Sequence, residues 1–297
     1  MPLHLTSRRQ FITQLGTAVA LAQVESSAAE VDADLIAILN DTHIGGQQPE
    51  TSSVPTHLRE AVEFLVRLPK RPAAVVINGD LALNKGTPGD YAHFAKLIAP
   101  LRATGISVHL TMGNHDDRDV FYETLSSEKH DSPPMASKHV GLVQTARANL
   151  ILLDSLKAPN VPQGLLGEEQ QDWLAKMLDA HAERPALVFA HHNPRLGGDP
   201  KHYPGGLEDS EPLWKVLVPR PHVKAYIHGH IHHRDFYHHE GIHILNTPAT
   251  SFVSNPTQST TGWTMLRLTA GGAEVTTHTH QADHAWNGQR MSLKWRT

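Results

Sequence analysis

A chain of 297 residues, 39% hydrophobic and 19% charged, is long enough for one large α/β domain around a sizeable core. Its formal net charge of −4 gives no reason to expect a nucleic acid polymer or an anionic membrane as partner. The absence of cysteine excludes disulfides, Cys-ligated zinc and thiol catalysis, and the 23 histidines point towards metal without locating it.

The chain opens with Ser7-Arg8-Arg9-Gln10-Phe11-Ile12, followed by a mild apolar stretch from Phe11 to Ala22. This resembles the twin-arginine export signal of bacteria. The stretch is too short to span a bilayer, and Ala20-Leu21-Ala22 offers a small-x-small cleavage site. Residues 1–29 are therefore read as an export segment that directs the protein to the periplasm or otherwise out of the cytoplasm. Residues 30–297 are read as one folded domain. No other stretch reaches the ~18 apolar residues of a membrane span.

In the mature chain, Leu35 to Leu39 is a short apolar run and predicts a buried strand. Leu58, Ala61, Val62, Leu65 and Leu68 recur at helical spacing from Thr56 to Leu68, with Pro69 closing the helix. A second strand is predicted over Ala73 to Ile77. A second helix carries Tyr91, Phe94, Leu97, Ile98 and Leu101, and a third strand spans Ile106 to Met112. Further β segments are expected at His139 to Val143 and Ala148 to Leu153. A helix follows from Glu168 to His181, then a strand from Ala186 to Ala190. A Gly/Pro-rich loop runs from Asn193 to Pro212, before a short helix from Leu213 to Val218 and a strand from Val223 to Ile227. The tail reads as β at Asp235 to His239, Ile242 to Leu245, Trp263 to Leu268 and Glu274 to His278. Strands alternating with helices argue for parallel βαβ units, and the β-rich tail for a second sheet.

Polar residues fall at the C-terminal ends of these strands, where open α/β sheets place their sites. Asp41 and His43 are two apart, so an extended segment would point both the same way. Asp80 follows Gly79, which allows a sharp turn. Asn114 and His115 follow Gly113, and His230 and His232 follow Gly229. With His192 these make a mixed oxygen and nitrogen donor set: Asp41, His43, Asp80, Asn114, His192, His230 and His232. Such a set suits Fe, Mn, Zn or Co better than Mg or Ca. Asp80, central in the strand order, is the candidate to bridge two ions. Two divalent ions, two carboxylates and one hydroxide leave roughly +1, which favours an anionic ester.

The motifs Asp41-x-His43, Gly79-Asp80, Gly113-Asn114-His115-Asp116, His192 and Gly229-His230-x-His232 resemble the five blocks of the calcineurin-like metallophosphoesterase superfamily. The resemblance implies an α/β fold of two packed mixed β-sheets flanked by helices, a four-layer α/β/β/α sandwich over 30–297. It implies two divalent transition-metal ions, with Asp41, His43, Asp80 and His232 on one and Asp80, Asn114, His192 and His230 on the other. A hydroxide held between them would attack phosphorus, and His115 would act off the metals, on the phosphoryl group or leaving oxygen. Strand alternation allows only one of His191 and His192 to face the metals, and the family spacing to Pro194 selects His192. His191 is then an outer group near the substrate.

Gly79-Asp80-Leu81, Asn114 to Arg118, and Leu153-Asp154-Ser155 with Gly164-Leu165-Leu166 narrow the likeness. They resemble the branch holding class III cyclic-nucleotide phosphodiesterases and bacterial glycerophosphodiesterases. The implied activity is hydrolysis of a small phosphodiester; a phosphomonoesterase on the same metals and a non-catalytic metal-binding module are the alternatives. Arg118, Arg195, Lys201, His202 and Tyr203 are candidate substrate contacts, with pairing of Arg118 to a nearby carboxylate as its competing role.

Overall fold

The computed structural model describes residues 30–129, 131–196 and 205–297. The expected export segment and the loop residues Lys201, His202 and Tyr203 lie outside them. Two six-stranded sheets pack face to face. The first holds β1 (Val31–Leu39), β2 (Arg71–Asn78), β3 (Val108–Thr111), β10 (Gly262–Thr269), β11 (Gly272–Thr279) and β12 (Arg290–Lys294), in the order β12-β11-β10-β1-β2-β3. The second holds β4 (Gly141–Gln144), β5 (Asn149–Leu152), β6 (Ala186–Phe189), β7 (Val223–His228), β8 (Asp235–His239) and β9 (Ile242–Asn246), in the order β4-β5-β6-β7-β9-β8. β1, β2 and β3 run parallel, as do β5, β6, β7 and β9. The tail strands β10 to β12 add antiparallel beside β1.

Period-2 alternation explains the layers. Along β1, Ile36 and Ile38 point between the sheets and pack with Val76, Phe189 and Ile227. Ala37 and Leu39 point outward, against α1 (Ser53–Val66) and α2 (Pro88–Ala103). On the far side, Val188, Tyr226 and Ile244 meet α4 (Glu168–Ala180) and α5 (Ser210–Leu217). Both sheets are thus buried on two faces, so their central strands read as continuous apolar runs. α2 starts as its sequence directs: Pro88 fills the first turn, and Thr87 and Asp90 cap each other's backbone N–H.

The expected four-layer sandwich is what forms. The differences are β12, a short helix α3 (Arg118–Thr124), and element ends that shift by a few residues. No helix of the described residues is long and apolar enough to cross a membrane.

Candidate metal centre

The predicted ligands all lie just past strand ends: Asp41 and His43 after β1, Asp80 after β2, Asn114 after β3, His192 after β6 with His191 beside it, and His230 and His232 after β7. The backbone there is not extended. Asp41, His43, Asp80, His230 and His232 have φ of 48°, 47°, 48°, 70° and 49°. Among the described residues only two other non-glycine residues, Asn160 and Glu240, have positive φ, so the left-handed conformation concentrates at the site. Each such residue costs roughly 1–2 kcal/mol and persists only where its surroundings over-determine it. Here Asp41 N–H donates to Gly79 O at 3.2 Å, and His43 N–H to Asp80 O at 2.9 Å. The shared orientation of Asp41 and His43 therefore comes from two left-handed turns, not from the extended alternation their spacing suggests.

The glycines have two separate roles. Gly79 takes φ +78, the sharp turn expected before Asp80. Gly113 and Gly229 instead make room: a Cβ on Gly113 would collide with Asp80 Oδ1, and one on Gly229 would sit 2.5 Å from Asp41 Oδ2.

The side chains converge. Asp41 Oδ1 lies 3.4 Å from His232 Nε2 and 3.9 Å from both His43 Nε2 and His191 Nε2. Asp80 Oδ2 lies 3.3 Å from His191 Nε2 and 3.7 Å from His43 Nε2. The Nε2 atoms of His43 and His232 approach to 2.9 Å. Two groups result, Asp41, His43, Asp80 and His232, and Asp80, His191 and His230, each with its ligand atoms within 4.8 Å of one another. Asp80 belongs to both. Asn114 is buried and its Oδ1 has no hydrogen-bond partner. A buried acceptor left open in this way fits a cation, because an unpaired buried polar atom otherwise costs free energy.

The second group contains His191, expected from the sequence to lie further out. His191 Nε2 faces the carboxylates, and His192, the expected ligand, is in neither group. The physical reason lies in β6: Phe189 points between the sheets and Ala190 points outward. Alternation puts His191 on the Phe189 side, where Asp41 and Asp80 are. His192 Nδ1 meets Ser155 Oγ at 2.7 Å, while its buried Nε2 has no hydrogen-bond partner. Its ring lies 4.6 Å from that of His230, so it buttresses that side chain from outside.

Electrostatics follow from burial among mixed charges. Burial alone would raise Asp41, but His232 and His191 hold it below the usual carboxylate range. Asp80 is held well below it, burial being outweighed chiefly by His191. His191 shows the reciprocal effect: burial disfavours its charge, but Asp80 and Asp41 push its pKa up to about 9. His43 and His230 are pushed down, to about 4 and about 3, mainly by burial. The cavity thus holds two buried carboxylates, balanced by histidine protons until a cation takes their place.

Residues 35–234 match the calcineurin-like phosphoesterase family. The chain belongs to that family. Its relatives include a 3′,5′-cyclic adenosine monophosphate phosphodiesterase of Escherichia coli (strain K12), 34% identical over 70% of this chain and 74% of the relative. A cAMP/cGMP dual specificity phosphodiesterase of Mycobacterium tuberculosis is 30% identical over 75% of this chain and 70% of the relative. A dimetal phosphatase from Danio rerio superposes with a TM-score of 0.69, covering 89% of this chain and 99% of that one at 15% identity, a likeness of fold.

The remaining expected residues of this phosphoesterase divide clearly. His115 is at the site: its N–H donates to Asp80 Oδ1 at 2.9 Å, and its ring stands edge-on to His43 at 5.2 Å. Its Nδ1–H donates to Asn84 O at 2.8 Å, which leaves Nε2 for other work. Arg118 is not brought to the metals. It pairs with Asp154, Nε to Oδ2 at 2.5 Å and Nη2 to Oδ1 at 2.8 Å, and donates to Leu156 O, which is the competing role foreseen for it. The Arg195 backbone N–H donates to Ser210 Oγ at 2.8 Å.

Two residues went unassigned in the sequence. Asp116 is buried and accepts from the N–H groups of Gly113, Ala82 and Leu81, clamping the turns that carry Asp80 and Asn114. Burial, aided by Asp80, raises its pKa to about 7. Phe252 stands edge-on to His43 at 5.6 Å and His232 at 5.5 Å. The Gly-Asn-His-Asp run pointed to Asp116, whereas nothing local pointed to Phe252.

Proposed function

We propose that this protein is a dinuclear-metal phosphodiesterase that hydrolyses small phosphodiesters, cyclic nucleotides or glycerophosphodiesters among them, outside the cytoplasm. The observation that carries the reading is the Asp80 carboxylate shared by two ligand groups, beside the unpartnered Asn114 Oδ1. Asp41, His43, Asp80 and His232 would hold one divalent ion; Asp80, Asn114, His191 and His230 would hold the other. Two such ions supply Lewis acidity and an activated water for in-line displacement. His115, off both groups and at the rim, is placed to donate a proton to the leaving oxygen through Nε2. The phosphodiesterase relatives support the diester over the monoester. Asp41 and Asp80, buried and anionic, set the need for divalent cations and repel an unneutralised phosphate until the cations are present.

The test is a panel of cyclic AMP, glycerophosphoethanolamine, bis(p-nitrophenyl) phosphate and p-nitrophenyl phosphate. The mature protein should cleave at least one diester faster than the monoester, lose activity to a chelator and regain it with Mn²⁺. Stoichiometric metal uptake with no hydrolysis anywhere in the panel would refute the reading. Export rests on Arg8-Arg9 and the apolar run behind it. A reporter fused after residue 29 should leave the cytoplasm, and the Arg8→Lys, Arg9→Lys double variant should retain it.

A further inference from the structure

His232 is the least secured member of its ligand group. Its side chain is the most exposed of the four, at 12% against 4% or less for Asp41, His43 and Asp80. Its backbone is left-handed at φ 49°, a conformation that lasts only where contacts around it impose it. Ile231 N–H donates to Gly229 O at 2.9 Å, but among the described residues neither His232 nor His233 makes a backbone–backbone hydrogen bond. Side chains must therefore hold this turn.

The contacts that do so come from the tail of the chain. His233 Nδ1 lies 2.9 Å from Ser259 Oγ, and its ring stands edge-on to Trp286, with centroids 5.3 Å apart and planes at 77°. Arg234 Nε donates to Thr277 Oγ1 at 2.8 Å, which ties the segment after the second sheet's β7 to β11 of the first sheet. Ser259, Thr277 and Trp286 all follow residue 234, where the match to the family ends.

Trp286 is fixed in turn by its own loop, residues 280–289 between β11 and β12. Its N–H donates to His284 Nδ1 at 3.2 Å, and the two rings meet with centroids 4.8 Å apart. Asn287 ties the loop across: Nδ2 donates to Ala282 O at 3.0 Å, and Oδ1 accepts from Thr279 N–H at 3.2 Å. The loop is rooted at Thr277, whose N–H donates to Gln289 O at 3.0 Å and whose carbonyl accepts from Gly288 N–H at 2.9 Å. A ring already ordered by its own loop gives His233 a fixed surface with little further loss of entropy.

We infer that this tail loop is a brace for one half of the metal centre. Trp286, Ser259 and Thr277 are positioning residues: they hold His233 and Arg234, and so keep His232 Nε2 beside Asp41, 3.4 Å from its Oδ1. His232 cannot leave its left-handed turn without pulling both neighbours off the tail. The inference rests on the two-metal reading above and assigns residues outside the family motifs to that site.

The test is Mn²⁺ calorimetry on Trp286→Ala and Trp286→Phe, each alone and combined with His232→Ala. Trp286→Ala alone should weaken Mn²⁺ binding at one site by about tenfold or more, within the usual range for a group that orients a ligand. Trp286→Phe keeps a ring against His233 and should recover most of that loss. In the His232→Ala background the change at Trp286 should add nothing, because the route by which it reaches the metal is gone. Should Trp286→Ala fail to fold, Ser259→Ala and Thr277→Val carry the same comparison. Wild-type affinity in the brace variants, or a loss that is equal with and without His232, would overturn the brace. Uptake of two Mn²⁺ that does not depend on the brace residues removes the brace and leaves the metal centre; a wild type that takes up no Mn²⁺ removes both.

Discussion

Two ionic clusters built on buried carboxylates lie within a few strands of each other, and they are built to opposite rules. In one, Arg118 grips Asp154 with two hydrogen bonds, while Lys138 Nζ donates to the carbonyls of Asp154, Leu156 and Leu165 at 3.2, 3.2 and 2.8 Å. The N–H groups of His139 and Leu156 also reach the Asp154 carboxylate, at 2.8 and 3.0 Å. None of these three charged side chains keeps a buried polar atom without a partner. In the other, Asp41 and Asp80 are equally buried, yet Asn114 Oδ1 and His192 Nε2 have no hydrogen-bond partner, and five ligand residues hold left-handed backbone. A cluster that satisfies itself is structural. One that stays open and strained is stable only because the fold imposes it, and its deficit is what a cation relieves. Burial and charge alone would have ranked the two alike.

The sharpest way to break the comparison is to empty the open cluster. Asp80→Ala removes the carboxylate common to both groups. Turnover should fall by about 10³-fold or more, and metal analysis should show at most one ion retained. Unchanged turnover would mean that Asp80 bridges nothing. Asp154→Ala breaks the closed cluster, and the effect should appear in stability instead. Leaving Arg118 without its carboxylate costs about 3–5 kcal/mol, read as a lower midpoint in urea denaturation, while the folded variant keeps its metal content. A variant of Asp154 that lost metal without losing stability would reverse the assignment of the two clusters.

Much of this was legible in the sequence, for reasons that also mark where legibility ends. β1 and β2 announce themselves because both faces are buried, so nearly every residue is apolar. β12 does not: it is an edge strand whose one buried residue is Leu293, and Met291 beside it is exposed. Four of the ligands were readable because glycine precedes them: Asp80 after Gly79, Asn114 after Gly113, and His230 and His232 after Gly229. The left-handed backbone of the Asp and His ligands was not, since Asp and His adopt positive φ far less often than glycine and mostly stand elsewhere. Phe252 was out of reach, as its closeness to His43 depends on how β9 and its loop pack against β1.

The pair His191 and His192 shows the same boundary at one residue's scale. Counting back from Pro194 selects His192, whereas following the inward face through Phe189 selects His191, and only the layer order tells which face is inward. The two variants should separate accordingly. His191→Ala should remove one ion from the purified protein. His192→Ala, acting through its contact with His230, should weaken affinity by about 10–100-fold, the usual cost of losing a group that supports a ligand, while both ions still bind at saturating metal. Equal stoichiometries in the two variants would return the choice to His192.

The smallest effect tests how the open cluster is balanced before metal arrives. His191 has its pKa raised to about 9 and hydrogen-bonds Asn78 O through Nδ1 at 3.0 Å, so the proton it can surrender is on Nε2, the atom that faces Asp80. At neutral pH the metal-free protein carries that proton, and a cation must displace it. Metal affinity should therefore climb about tenfold per pH unit towards pH 9 and flatten above it, the sign expected when the free form binds one proton more than the loaded form. Calorimetric titration with Mn²⁺ in two buffers of different ionisation enthalpy should show at least one proton released per second-site ion at pH 7.5. His191→Ala should abolish that release. A proton count of zero in the wild type would mean that His191 is already neutral, and that the two carboxylates are balanced by some other charge in the cavity.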